Sequence, residues 1–298
     1  MRVSTHTLSE NIIRQIQQLG SQQTKLQMQV ATGQRIFQPE DDPTSVGRLL
    51  ALESEQREIG QYVRNIDRAL EISQLSFAGL RGLKSSSDRA TEIGVLGAGP
   101  LSDDAARAYA AEVNQLIEQA LQVANTKLRN DYVFAGTAVD TPPFTATRNP
   151  SGEVTGVTYV GNADQAPIQL SESSSIAPGT TGATNAGLGT FLNQLVALRD
   201  ALNANDSAAV TTAQAGLIAS EDGLVSSLAE HGGVQMRIEA SRTQLLSRSE
   251  NLERLASAEA DLDLPTTIVR LNQSQTAYQA ALQSAANIMR LSLLDYIR

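Results

Sequence analysis

Residues 11–36 read NIIRQIQQLGSQQTKLQMQVATGQRI, and the spacing of their apolar side chains decides the fold class. Ile12, Ile16, Leu19, Leu26 and Val30, with Gln23 in register, recur at alternating steps of four and three. That spacing puts them on one stripe of a helix, either the seam of a coiled coil or the core face of a bundle. The other end of the chain repeats it through Leu264, Ile268, Leu271, Gln275, Tyr278, Leu282, Ala285 and Met289. One such stripe is satisfied by an ordinary core helix. Two matching stripes at opposite ends of one chain, each with a Gln in the seam, predict pairing with each other or with neighbouring chains.

Inward from the first stripe, Gly33, Pro39 and Pro43 break the pattern and Asp41-Asp42-Pro43 restarts a helix. Asp42 suits the cap, Pro43 the first helical position, and the acidic pair the positive helix end. The next seam runs Leu49, Leu52, Gln56, Ile59, Val63, Ile66, Leu70, Ser73, Phe77 and Leu80 before reaching Gly94, Gly97, Gly99 and Pro100, where a helix break is expected. Unbroken, this helix would be roughly 75 Å long at ~1.5 Å per residue, which predicts an elongated molecule. Ser102 caps a third helix with Asp103 and Asp104 in its first turn. Its apolar face is Ala106, Tyr109, Val113, Leu116, Ile117, Ala120, Val123 and Ala124, and its end is expected near Lys127-Leu128-Arg129.

From Tyr132 to about Gly189 the pattern changes. Tyr132 to Phe134, Val154 to Val160 and Ile168 to Leu170 read as short strands between Gly- and Pro-marked turns, and Ser171 to Gly189 as loop. Helical spacing resumes at Phe191, with a long stretch carrying Val210, Leu217, Leu224, Leu228, Ile238, Leu245, Leu252 and Leu255, which Gly232-Gly233 is expected to loosen. Asp261 and Asp263 bracket a break, and Pro265 begins the last helix. The expected fold is mainly α: an elongated helical bundle or coiled coil, both termini together, with a small β-rich insert at the tip.

Composition removes several function classes. Aromatics make up 4% of the chain against 41% hydrophobic residues, and Trp is absent, which suits long helices better than a deep pocket. The net charge of -9 disfavours a phosphate-binding stripe, so no nucleic-acid partner is expected. Cys is absent, excluding disulfides, thiolate metal sites and Cys nucleophiles. His6 and His231 are the two histidines, and neither has metal-ligand spacing. Gly94, Gly97 and Gly99 follow a helix rather than a strand, so a dinucleotide loop fails its context. Asp140, Glu153, Asp164 and Glu172 of the insert have no His or Cys among them to make an active site. Catalytic, cofactor-binding and metal residues are accordingly none, and no enzyme is expected. No apolar run spans a membrane, and Met1 to Gly20 lack the apolar core of a cleaved secretory signal.

The informative motifs concern assembly. Val30-Ala31-Thr32-Gly33-Gln34-Arg35-Ile36, followed by Pro39-Glu40-Asp41-Asp42-Pro43, resembles a segment of the flagellin family. Asn130-Asp131-Tyr132-Val133-Phe134-Ala135-Gly136-Thr137 with Thr141-Pro142-Pro143-Phe144 is similar to the hook-associated branch of that family. So is the run from Leu271-Asn272-Gln273 through Ala280-Ala281-Leu282 to Leu291-Ser292-Leu293-Leu294-Asp295-Tyr296. The resemblance spans both ends and the join to the insert. It implies a layered subunit: residues 1–42 and 262–298 as a terminal coiled-coil inner layer, 43–131 and 190–261 as a long-helix middle domain, and 132–189 as an outer insert. It further implies a structural, extracellular role at the hook–filament junction of the bacterial flagellum, with export through the flagellar type III apparatus. The partners it implies are hook-associated protein 1, flagellin, copies of the chain itself and a cytoplasmic export chaperone.

Two other readings fit the same pattern: a short flagellin that forms the filament itself, and a cytosolic coiled-coil scaffold. The assembly seam is assigned to Ile12, Ile16, Leu19, Leu26, Val30, Ile268, Leu271, Tyr278, Leu282 and Met289. Each Leu or Ile buried there contributes roughly 1.5–3 kcal/mol. Without a partner inside the chain the two terminal segments are expected to stay mobile in the free monomer, and the insert to be dispensable for export.

Overall fold

A computed structural model describes the backbone of residues 2–296 and the side chains of residues 10–287. The described residues form six helices and three two-stranded antiparallel sheets: α1 (Arg2–Thr32), α2 (Pro43–Gly97), α3 (Asp103–Ala124), β1 (Lys127–Leu128), β2 (Asp131–Tyr132), β3 (Phe144–Arg148), β4 (Val154–Tyr159), β5 (Ile168–Ser171), β6 (Ser174–Ile176), α4 (Gly182–Asn203), α5 (Ser207–Ala260) and α6 (Leu264–Tyr296). The protein is mainly α. It divides into two compact units, one of Met1–Glu58 with Arg248–Arg298 and one of Ile59–Ser247, so the division falls within α2 and α5.

In the first unit, α1 packs against α6. The terminal seams thus have a partner inside the chain, which corrects the expectation that they lack one. The physical reason is the matched spacing itself: two stripes of the same period can cover one another.

In the second unit, the buried positions of α2 fall on three seven-residue series, one of them short: Gly79, Ser86 and Ile93. Ile59, Ile66, Ser73, Leu80, Ser87 and Gly94 form the longest, and Ala69, Ser76, Leu83, Ala90 and Gly97 the next. Gly94 and Gly97 are still helical, so α2 runs past the expected break and ends only before Gly99-Pro100. Small residues are needed here because neighbours come close: a Cβ on Gly97 would stand 2.7 Å from Leu202 Cδ2. On α5, Val210, Leu217, Leu224, His231, Ile238, Leu245 and Leu252 keep the same seven-residue step, and Gly232-Gly233 do not interrupt the helix. Leu255, expected to be apolar core, is 54% exposed.

The main core joins α2, α3 and α4 to the start of α5, with Phe134, Phe144, Val154 and Val157 inserted from the β-rich segment. Ser102 accepts a hydrogen bond from Ala105 N and caps α3, as its position foretold, but the helix stops at Ala124 rather than near Arg129. The reason is Asn125, whose side-chain amide donates to Phe144 O at 2.9 Å and accepts from Phe144 N at 3.1 Å. It serves as a ladder partner for β3, a strand the sequence pattern left unassigned. At the other end of the insert, Thr181 accepts from Thr184 N and starts α4 at Gly182, nine residues before the apolar spacing becomes visible at Phe191.

A second core lies under β5 and β6. Leu170 and Ile176 pack with Ile66 and Ala69 of α2 and Ile238 of α5. The insert is therefore not free of core residues, which removes the premise that it can be cut away without effect on the helices. Deletion of residues 149–178 is expected to uncover Ile66 and Ile238, at roughly 1.5–3 kcal/mol for each large apolar side chain exposed or lost. A thermal melt followed by circular dichroism should show a clearly lowered midpoint; an unchanged melt would contradict this account.

Candidate assembly surface

The first unit is tied together where two helix connections meet. Gly33 follows the last turn of α1 with φ +72° and donates its N–H to Gln29 O at 2.8 Å, a left-handed helix ending that favours glycine. The chain then pairs with the α5–α6 connection. Arg35 N donates to Ala260 O at 2.7 Å, and Leu262 N donates to Gly33 O at 2.9 Å. Gln34 and Asp261 stand opposite each other in this antiparallel bridge.

Arg35 reinforces the crossing. Its Nη2 donates to Glu259 O at 2.8 Å and to Ser45 Oγ at 3.3 Å, while Nη1 donates to Asp42 Oδ2 at 3.3 Å. Glu259 also pairs with Arg48 at 3.4 Å. One guanidinium thus touches the last turn of α5 and the first turn of α2. Asp42 caps α2 by accepting from Ser45 N at 3.1 Å. Asp41 accepts from Phe37 N and Gln38 N and pairs with Lys25 at 2.6 Å. Asp42 has the capping role read for the acidic pair, while Asp41 instead holds the turn that precedes the helix.

Hydrogen bonds from Ser45, and after them the Arg35 guanidinium, pull the Asp42 carboxyl down from its ordinary 3.8 to about 2. A lowered folded-state value means that the carboxylate stabilises the fold above pH 3.8 and that this contribution is lost as pH falls toward 2. Asp42→Asn is therefore expected to flatten the acid limb of the unfolding curve between those values. A titration in which wild type and variant lose stability in parallel would refute the assignment.

The seam residues are placed as follows. Ile12, Ile16, Leu19, Leu26 and Val30 are all half-buried on α1. On α6, Leu271 and Tyr278 are half-buried, and the Tyr278 ring lies where a Cβ on Gly20 would be 3.5 Å away. Ile268 and Leu282 are 43% exposed and are not brought into that pairing. The Met289 side chain lies outside the described residues. The most buried positions of described α6 are Thr267, Ser274 and Ala285, in 4-3 step with Leu271 and Tyr278. Apolar counting misses Thr267 and Ser274; only the step, not the residue type, signals them. What remains uncovered on described α6 is Val269 and an apolar flank of Leu264, Ile268 and Leu282. Asp263 caps this helix by accepting from Thr266 N and Thr266 Oγ1, and those bonds lower its pKa.

The chemistry-bearing side chains of the second unit are bound into structure. His231 is buried at its heptad position on α5, with Nε2 2.9 Å from Ser73 O and 3.2 Å from Ser73 Oγ. Burial lowers its pKa and favours the neutral ring, which donates to that carbonyl. The His6 side chain lies outside the described residues. Arg199, buried on α4, donates to Val154 O at 2.6 Å and Asn114 Oδ1 at 3.2 Å, joining α4, β4 and α3. A groove beside β1 and β2 is lined by Arg68, Glu71, Arg129 and Tyr132, and Arg129 and Glu71 pair across 3.2 Å. Among the described residues no cluster of three His, Cys, Asp or Glu side chains is placed to hold a metal. No described helix is long and apolar enough to cross a membrane.

The bacterial flagellin N-terminal helical region matches residues 3–138. Flagellar hook-associated protein 3 of Escherichia coli (strain K12) is 27% identical over 326 residues, covering 99% of each chain. That of Salmonella typhimurium (strain LT2) is 28% identical over 185 residues, covering 61% of this chain and 56% of its own. Among solved structures, Bacillus cereus FlgL superposes with a TM-score of 0.61 at 21% identity, over 70% of this chain and 99% of its own. The flagellar junction protein FlgL of Legionella pneumophila superposes at 0.50 with 16% identity, over 73% and 100%. The helical N-terminal match, the full-length likeness to hook-associated protein 3 and the shared fold agree: the chain is similar to the flagellin family and, over its whole length, to flagellar hook-associated protein 3.

Proposed function

We propose that the chain is a structural subunit of the bacterial flagellum, located outside the cell, which joins hook to filament by assembling through its terminal helices. The observation that carries the reading is the apolar flank of α6, Leu264, Ile268 and Leu282, left exposed on a helix already paired with α1. A chain 27% identical, over 99% of its length, to a flagellar hook-associated protein supplies the context for that surface. The partners are further copies of the chain, hook-associated protein 1 on one side and flagellin on the other, with an export chaperone before secretion. Export proceeds through the flagellar type III apparatus. Residues 1–42 and 262–298 form the inner layer, 43–131 and 190–261 the middle domain and 132–189 the outer insert. The subunit binds no cofactor and catalyses no reaction.

The family match at residues 3–138 also favours a second reading, a short flagellin that builds the filament itself. Deletion of the gene separates the two. Under the junction reading, hooks remain, filaments are lost and flagellin is shed into the medium. Under the filament reading the chain is the bulk protein of sheared filaments, and no other flagellin is shed.

A further inference from the structure

Arg35 sits between chain segments far apart in sequence, and its bonds go to backbone as well as side chains. Nε and Nη2 both reach Glu259 O, in the last turn of α5, at 3.3 and 2.8 Å. Nη1 reaches the Asp42 cap of α2 at 3.3 Å. The backbone of the same residue donates to Ala260 O and accepts from Gln29 Nε2 at 2.7 Å. The exit of α1, the start of α2 and the end of α5 are therefore held at one residue, one bridge away from the start of α6. A basic group at the end of α5 also meets the negative end of that helix, where a cation is favourable.

We propose that Arg35 is a positioning residue for assembly: it locks the α1–α2 and α5–α6 connections together, so that the paired terminal helices are presented to neighbouring subunits as one rigid piece. A lysine cannot do the same. It carries one rotatable ammonium, whereas the planar fork reaches Glu259 O and the Asp42 carboxylate at once. This rests on the assembly role proposed above, and the test separates the two.

The experiment uses the full-length protein and its freedom from cysteine. Gln34 and Asp261 are the bridge pair whose flanking residues make the hydrogen bonds, so they are the non-hydrogen-bonded pair, with Cα atoms about 4.5 Å apart and within disulfide range. Four proteins are compared: wild type, Arg35→Ala, Arg35→Lys, and Arg35→Ala carrying Gln34→Cys and Asp261→Cys. Amide exchange at Leu262, whose N–H is held by Gly33 O, reads the lock in the free protein. Binding to hooks purified from the deletion strain reads assembly.

Arg35→Ala should exchange Leu262 at least about tenfold faster, the effect of losing charge-assisted hydrogen bonds. It should bind hooks at least about tenfold more weakly, and Arg35→Lys should lie between it and wild type. The oxidised double-cysteine protein should regain both slow exchange and binding, and lose both again when reduced. A merely structural arginine would not be rescued by a crosslink elsewhere in the connection. Unchanged Leu262 exchange in Arg35→Ala overturns the lock. Faster exchange with normal hook binding overturns its role in assembly. Failure of the wild type itself to bind hooks overturns the junction reading, while the exchange data still decide whether the lock exists.

Discussion

Leu282→Asp is expected to leave the free protein folded and secreted but to remove it from flagella, while Gln273→Asp incorporates normally. Leu282 is 43% exposed on α6, so a carboxylate there remains hydrated in the isolated chain and costs little. If the apolar flank it shares with Leu264 and Ile268 is covered by a neighbouring subunit, the same carboxylate becomes buried without a partner. That costs several kcal/mol, and each 1.4 kcal/mol is about tenfold in affinity, so incorporation should fall by about 100-fold or more. Gln273 is also exposed and lies nine residues earlier, on the opposite side of the helix at about 100° per residue. The two variants therefore add the same charge to the same helix on different faces. Circular dichroism of the purified chains, and immunoblots of culture medium and of washed, sheared flagella, give the answer. Leu282→Asp present in flagella at the wild-type level would mean that the exposed flank is not an assembly surface.

The parts of the fold that sequence reveals are those where one residue type and one spacing carry the information together. The α1 seam from Ile12 to Val30, the Asp42–Pro43 start of α2 and the Ser102 cap of α3 are of this kind, because a helix face and a helix end are local properties. Boundaries set by distant partners are not. Gly94 and Gly97 look like a helix break because glycine usually weakens helices, yet close packing against Leu202 and Gln214 makes them helical. Strand β3 depends on Asn125 supplying its outer ladder bonds, and no spacing within Phe144–Arg148 announces that. His231 could have been read: it stands seven residues from both Leu224 and Ile238, which marks a core position rather than a ligand. The α6 surface is the instructive case. Thr267 and Ser274 take inward positions beside half-buried Leu271 and Tyr278, while Ile268 and Leu282, which apolar counting places inward, stay outside. A stripe wider than one partner needs is what a helix requires when a second partner is to come. Arg35 and Glu259 are 224 residues apart, and only the folded chain shows that the TGQRI segment and the end of α5 form one connection.

Phe134→Ala should be among the most damaging single changes in the second unit, and it should reverse the sign of Gly79→Ala. Phe134 is 0% exposed and reaches from the segment after β2 onto α2, where Gly79 leaves room for its ring. A Cβ on Gly79 would stand 2.8 Å from Phe134 Cζ and 3.0 Å from Cε2, closer than carbon atoms tolerate. Removing the ring leaves a cavity in the main core and is expected to cost roughly 3–5 kcal/mol. Gly79→Ala alone forces the ring or the helix to move, a cost of about 1–3 kcal/mol. That outweighs the ~0.5–1 kcal/mol that alanine gains over glycine inside a helix. With Phe134→Ala in place the clash is absent, the helix gain remains, and the new methyl fills part of the void. Gly79→Ala then stabilises. Urea unfolding of the wild type, both single variants and the double variant forms the cycle, with circular dichroism as the probe. A coupling near zero, with Gly79→Ala equally harmful in both backgrounds, would show that something other than the Phe134 ring demands glycine there. The expected sign change instead identifies the contact that seats the Asn130–Thr137 segment on α2. That segment carried part of the family likeness, and its fixed placement keeps the β-rich insert attached to the long helices.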